Sequence, residues 1–219
     1  MARSSKRNCA NANQHFPFLD LPAELRLLVY EHLLVGNEPW RLAAALRNKS
    51  NLYPNIIATC RLVQQEATPV LYGCNQFEFT DELVLGAGTQ FLKNISHSAQ
   101  HISSINIDLT MPTKKEIKGL FVLLKKCAAL STLIIGVGVW TSYKAEAFAK
   151  AIGPLVRLLH KSQQKKHDLK PRDVLDGLNF SAPHIYGFGQ AVIVEQARQD
   201  ERAATFEEQV KDLLRATFK

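Results

Sequence analysis

Cysteine is scarce and scattered in this chain: four residues in 219, at Cys9, Cys60, Cys74 and Cys127. No two form a C-x-x-C pair or a Cys/His ligand pattern, so neither a disulfide framework nor a zinc motif is spelled out. Three of the four sit in apolar stretches, as small core residues do. Long apolar runs are missing too. No stretch approaches the roughly 18 residues of a membrane span, and the residues after Met1 are polar and basic where a secretory signal is apolar. The expectation is a reducing, intracellular compartment, cytoplasm or nucleus, with no membrane partner. The sequons at Asn48, Asn94 and Asn179 are then without consequence.

Catalytic signatures are equally thin. Three Gly-x-Gly pairs, Gly86/Gly88, Gly136/Gly138 and Gly187/Gly189, lack both a third glycine and a following G-K-[ST], and read as turns. His97 and His101 are four apart, but no Glu follows His97 and no third ligand is evident. There is no G-x-S-x-G elbow, and no cysteine in a catalytic context. No catalytic residue, metal ligand or cofactor site is assigned, and nothing requires an enzyme.

Present instead is an ordinary globular composition, 46% hydrophobic and 21% charged, with a net charge of +7 and a pI near 9.3. The length suits one large domain, or a small module joined to a larger one. The positive balance favours acidic partners without choosing among them.

Residues 1–15 carry Arg3, Lys6 and Arg7 and no apolar face, so they read as a disordered basic tail. Pro22 then opens a helix, with Asp20 placed to accept from its unpaired amides. Leu25, Leu28, Val29 and His32 form an i, i+3, i+4, i+7 stripe, widened by Leu21, Leu27, Leu33 and Leu34. Such a helix is either simply buried or carries a second apolar surface for a partner. Gly36 to Pro39 ends it, and a loop or short strand follows around Arg47 to Asn51. Pro54 introduces a second helix with Ile56, Cys60, Val63 and Ala67 on one face, Pro69 breaks it, and Val70 to Gly73 form a short third helical turn. These residues, 16–73, make a small helical module.

From 74 to 190 helices alternate with short strands. Phe77 and Phe79 mark one strand, and Leu83 to Leu85 a pairing candidate. Ile102-x-x-Ile105-x-Ile107-x-Leu109 recurs 28 residues later as Leu130-x-x-Leu133-x-Ile135-x-Val137, and a third time as Leu175-x-x-Leu178-x-Phe180. Each instance follows a helical segment: Gln90 to Gln100, Glu116 to Ala129 with a capping box at Thr113–Glu116, and Tyr143 to Lys161 with a kink at Gly153-Pro154. Helix–strand units side by side in a parallel sheet follow, and no ladder of asparagines accompanies them. Lys161 to Arg172 reads as a solvated basic loop. In 191–219, Ala191 to Val194 read as an edge strand, and a capping helix presents Ala203, Phe206, Val210, Leu213 and Leu214 to the sheet.

Leu21-Pro22-x-Glu24-Leu25-Arg26, then Ala58-Thr-Cys60-Arg61 with Glu66-Ala67, then Leu71-Tyr72-Gly73-x-Asn75-x-Phe77-x-Phe79, resembles the F-box-like domain of filamentous-fungal proteins. The resemblance spans residues 16 to 80. It implies an F-box-like module over residues 16–73. The 28-residue period of the following strands lies in the leucine-rich-repeat range, so the expected fold is mixed α+β or α/β: an N-terminal three-helix F-box-like module, a degenerate leucine-rich-repeat-like sheet with helices, and a C-terminal capping helix. The resemblance also implies a surface for a Skp-type adaptor of a cullin ligase, with Leu21, Pro22, Leu25 and Val29 as the apolar contacts and Cys60 and Arg61 from the second helix. The chain would then recruit a target protein, whose identity the residues do not give. A second reading keeps the helices as a purely structural cap on the sheet, and in it the face of Leu25 and Val29 lies inside. A third, nucleic-acid binding through the basic tail and the Lys161 to Arg172 loop, stands behind both.

Overall fold

Alternation of apolar and polar residues decides the sheet. Phe77 and Phe79, Ile105 and Ile107, Leu133 and Ile135, and Leu178 and Phe180 occupy every second position of their strands, and all are buried. The computed structural model describes residues 17–41, 52–80, 87–108, 113–141, 143–167, 171–182 and 190–217. Within them β1 (Trp40–Arg41), β2 (Gln76–Thr80), β3 (Ser104–Asp108), β4 (Thr132–Ile135) and β5 (Leu178–Phe180) form one sheet in sequential order, every pair parallel.

Parallel neighbours need crossovers, and helices supply them. After α1 (Ala23–Leu34) and β1, a 3-10 segment (Pro54–Ala58) and α2 (Arg61–Gly73) lead into β2. Helix α3 (Ala87–Asn94) and a 3-10 segment (Ser96–His101) precede β3, and α4 (Lys114–Leu124) precedes β4. Helices α5 (Val137–Trp140), α6 (Ala145–His167) and α7 (Pro171–Asp176) precede β5, and α8 (Gln190–Thr217) follows it. Among these described residues no helix is long and apolar enough to cross a membrane.

The 28-residue repeat is visible as strand register. Ile105 lies beside Leu133 and Ile107 beside Ile135. The same offset sets Phe77 beside Ile105, so β2 belongs to the series, a membership its sequence pattern had not announced. The missing asparagine ladder has a counterpart. Asn75, Ser103 and Ser131 stand 28 residues apart, and each reaches back to a carbonyl of the preceding unit: Asn75 Nδ2 to Leu34 O at 2.7 Å, Ser103 Oγ to Gly73 O at 2.5 Å, and Ser131 Oγ to Ser103 O at 3.1 Å.

One apolar core lies between the sheet and the helices, built from the inward strand residues with Phe121 and Leu124 of α4, Phe148, Ile152 and Leu155 of α6, and Phe206 and Val210 of α8. Phe148 sits among the rings of Phe121, Tyr143, Phe180 and Phe206, at 5.5 to 5.7 Å. A second, smaller core joins α1 and α2 through Tyr30, Leu34, Val63, Ala67, Val70 and Leu71. Trp40 and Tyr72 pack against both cores, and Tyr72 stacks on Phe77 at 5.8 Å.

Several local expectations are corrected. Pro22 is the N-cap of α1 and makes no side-chain cap bond, and Asp20 belongs to a preceding 3-10 turn (Phe18–Asp20). Segment 54–58 is a 3-10 turn rather than the start of the second helix; Cys60 is extended and exposed, and α2 begins at Arg61. Pro69 lies inside α2 without ending it, because Val70 and Leu71 are drawn into the core beyond it. Two α-helices and 3-10 turns therefore stand where three helices were expected. Ala191 to Val194 are helical, part of α8, and the loop expected from Lys161 is helical as far as His167. Gln90 to Gln100 divides into α3 and the 3-10 segment. Within α8, Ala203, Phe206, Val210 and Leu214 are buried as expected, while Leu213 is exposed. The capping box forms with both bonds, Glu116 N to Thr113 Oγ1 and Thr113 N to Glu116 Oε2. The tail, Arg47 to Asn51, Leu83 to Leu85 and Gly187/Gly189 lie outside the described residues.

Candidate functional site

Helix α1 is apolar on two sides, and only one of them is packed. The inward side is Arg26, Tyr30 and Leu34, spaced i, i+4, i+8. An arginine at such a position must be neutralised, and Glu66 of α2 does so in a two-pronged pair, Nε to Oε2 at 2.9 Å and Nη2 to Oε1 at 2.6 Å. The Tyr30 hydroxyl donates to the same carboxylate at 3.0 Å. Bonding to Arg26 holds the Glu66 carboxyl below its usual range, and burial, reinforced by Glu66, pushes the Tyr30 hydroxyl up to about 12. The remaining guanidinium nitrogen, Nη1, donates to the carbonyls of Leu19 and Leu21. One side chain thus fixes α1 to α2 and also shapes the Leu-Pro corner ahead of it.

The outward side carries the stripe read from the sequence. Leu25 is 46% and Leu28 60% exposed, with His32 exposed and Val29 half-buried beside them. Leu19 and Leu27 add exposed apolar surface nearby in the chain, and Leu62 is exposed in the first turn of α2. The structural-cap reading expected the face of Leu25 and Val29 to be inside; Leu25 is outside. Of the other expected contact residues, Pro22, Cys60 and Arg61 are exposed and Leu21 is half-buried. The C-terminal ends of α1 and α2 meet at Asn75, which bonds Leu34 O and Leu71 O. Leu21-Pro22 and Cys60-Arg61 both lie on the N-terminal side of the Arg26–Glu66 pair, at the other end of the helix pair. Sequence reasoning missed that pair, Leu19 and Leu62; the i, i+4, i+8 spacing of Arg26, Tyr30 and Leu34 was the available signal.

The second surface is the sheet face opposite the core. Register aligns Arg41, Glu78, Asn106, Ile134 and Asn179 across all five strands, and Gln76, Ser104 and Thr132 in a row beside them. Arg41 Nε bonds Glu78 Oε2 at 3.0 Å, and Asn106 Nδ2 lies 3.5 Å from Glu78 Oε1. All but Arg41 are half-buried, and all but Ile134 are polar. An all-parallel sheet usually has both faces covered by apolar packing, so a face lined by half-buried and mostly polar side chains is a surface able to meet a partner.

Among the described residues no three His, Cys, Asp or Glu side chains are grouped to hold a metal ion. Cys127 is buried, and burial pushes its thiol up to about 12. Cys74 is also pushed up, by burial and then by Glu31. His97 and His101 sit in a 3-10 segment, where four residues exceed one turn and a shared helical face does not arise. Gly136 follows β4 so closely packed on Asp108 and Ile107 that a Cβ would overlap them, a steric role rather than a phosphate loop. No family model, no curated protein and no solved structure matches this chain.

Proposed function

We propose that this chain is a protein–protein interaction module in which α1 and the start of α2 dock on a Skp-type adaptor of a cullin ligase, while the helix–strand region recruits a target protein. The reading treats residues 16–73 as F-box-like and the sheet as leucine-rich-repeat-like. The observation that carries it is the outward stripe of Leu25 and Leu28, held in place by the Arg26–Glu66 pair on the opposite side of the same helix. Burying the exposed half or so of each of these two leucines contributes about 1.5–3 kcal/mol in all on binding before ordering costs. The test is co-purification of the full chain with a recombinant Skp-type adaptor. A stable complex that is lost with Leu25→Asp and Leu28→Asp, both exposed and compatible with folding, supports the reading. No complex with the wild-type chain, or one indifferent to both substitutions, overturns it.

A second reading makes the helices a structural cap on a non-enzymatic scaffold. It rests on the continuity of the two cores, where Tyr72 meets Phe77 and Phe91, and Trp40 meets Phe77. Under it the adaptor does not bind, and Leu25→Asp and Leu28→Asp leave the chain's behaviour unchanged.

A further inference from the structure

Residues 113–162 hold nine Lys and Arg against two Glu, a net of +7, and the rest of the chain balances at eighteen of each sign. The formal charge of the whole protein is therefore carried by one block of the fold, α4 through most of α6. Within that block the charges are ordered. Lys115, Lys118 and Lys126 lie along the outward side of α4 and its closing turn, and Lys150, Arg157 and Lys161 along the outward side of α6; all six are exposed. Ile117, Leu120, Phe121 and Leu124 of α4, and Phe148, Ile152, Leu155 and Leu159 of α6, face the core.

The two helices run side by side in the same sense. Tyr143 Oη donates to Lys114 O at 3.2 Å at their N-terminal ends, Phe121 meets Phe148 at 5.7 Å, and Ser162 Oγ donates to Ala128 O at 3.1 Å at their C-terminal ends. From first to last member each basic row covers eleven residue steps, about 16 Å at helical rise, and packed helices lie about 8–10 Å apart. The ion pairs seen among the described residues lie in α1, α2, the first two strands and α8, and none engages these six side chains. Glu146 is the single acidic neighbour on the outward side of α6.

We infer that this face binds the phosphate backbone of double-stranded nucleic acid. Two rows of cations separated by about 10 Å match two phosphate strands flanking a groove about 6–12 Å wide, and the rows are long enough to meet several phosphates each. Single strands are a poorer fit, because no exposed aromatic side chain lies on the face for bases to stack on. An anionic membrane is also a poorer fit, since the large apolar side chains exposed among these cations are Val122 and Leu158 and no aromatic anchor accompanies them. The site is separate from the α1 surface and stands or falls without it.

The experiment is fluorescence anisotropy of a labelled, random-sequence duplex of about 20 base pairs with the full chain, titrated at several salt concentrations. Engagement of about five phosphates gives a slope of log affinity on log salt near −4.5, or about 500-fold weaker binding at 200 mM than at 50 mM. Either triple substitution, Lys115→Glu/Lys118→Glu/Lys126→Glu or Lys150→Glu/Arg157→Glu/Lys161→Glu, flattens that slope by about 3 while leaving the circular dichroism unchanged. Should charge reversal unfold the chain, the Gln versions at the same positions make the same comparison. The proposal is overturned by absence of binding at 50 mM, by binding that survives both triples, by binding lost on removing residues 1–15 alone, or by tighter binding to phosphatidylserine vesicles than to the duplex.

Discussion

Asn75 offers the sharpest test of how the two cores are joined. Its side chain is 3% exposed and makes three bonds to backbone: Nδ2 donates to Leu34 O at 2.7 Å and to Leu71 O at 2.8 Å, and Oδ1 accepts from Gly36 N at 2.9 Å. It satisfies late carbonyls of α1 and of α2 at once, which helix ends otherwise leave open. Asn75→Ala strands one N–H and two C=O groups in a nearly dry site. At about 1–3 kcal/mol for each unsatisfied group, the loss is at least about 3 kcal/mol, a large part of the 5–15 kcal/mol typical of a domain. Asn75→Asp keeps the acceptor for Gly36 but turns a carboxylate toward two carbonyl oxygens, which raises the folded-state pKa of that acid above its unfolded value of about 3.9. A raised acid is stabilising while protonated, so the deficit of Asn75→Asp against wild type is small near pH 4, opens as pH rises through the folded pKa, and is constant above it. Urea unfolding followed by circular dichroism at pH 7 and near pH 4 reads both variants. A cost under about 1 kcal/mol for Asn75→Ala, or an equal Asn75→Asp deficit at both pH values, would refute the bridging role.

Two further outcomes follow from packing and charge. Gly136→Ala places a Cβ 2.7 Å from Asp108 Cα and 2.8 Å from Ile107 O, both backbone, and lowers stability by about 1–3 kcal/mol, whereas Gly119→Ala, on the open side of α4, raises it by about 0.5–1 kcal/mol; thermal melting of the pair gives opposite signs. Glu66, with its pKa depressed below 4.5 by Arg26, contributes stability that is present above that value and disappears as pH falls through the folded pKa. Glu66→Gln therefore costs more stability at pH 7 than in acid, and an equal shift of the urea midpoint at pH 7 and at pH 3 would remove the pair from the account.

The strands were legible because their signal is local. Phe77/Phe79, Ile105/Ile107 and Leu133/Ile135 alternate within five residues, and the 28-residue spacing needs only comparison of the chain with itself. The capping box at Thr113 is likewise complete in four residues. What escaped was decided at a distance. Arg26 looks like a break in an apolar helix until Glu66, forty residues on, neutralises it. Pro69 and the β-branched Ile193 and Val194 carry local preferences that their helices override, the first because the residues after it are buried, the second within a helix of 28 residues. The outward stripe of α1 was legible as excess apolar surface, but not which side would be packed. The basic face was invisible in outline, since its six members are spread over 47 residues and meet only across the α4–α6 seam.

The last strand ends the sheet in a way that bears on how copies of this chain behave toward one another. The outward amide of Phe180 is taken by Glu207 of α8 at 2.9 Å, and Lys211 holds that carboxylate at 2.7 Å. A strand edge with free amides invites a neighbour to extend it, and through it fibril growth or strand exchange. Here an incoming strand must first displace a charged side chain from its bond and leave a lysine without its counter-charge. At this edge a charged side chain adds to the protection that a strand of only three residues already gives.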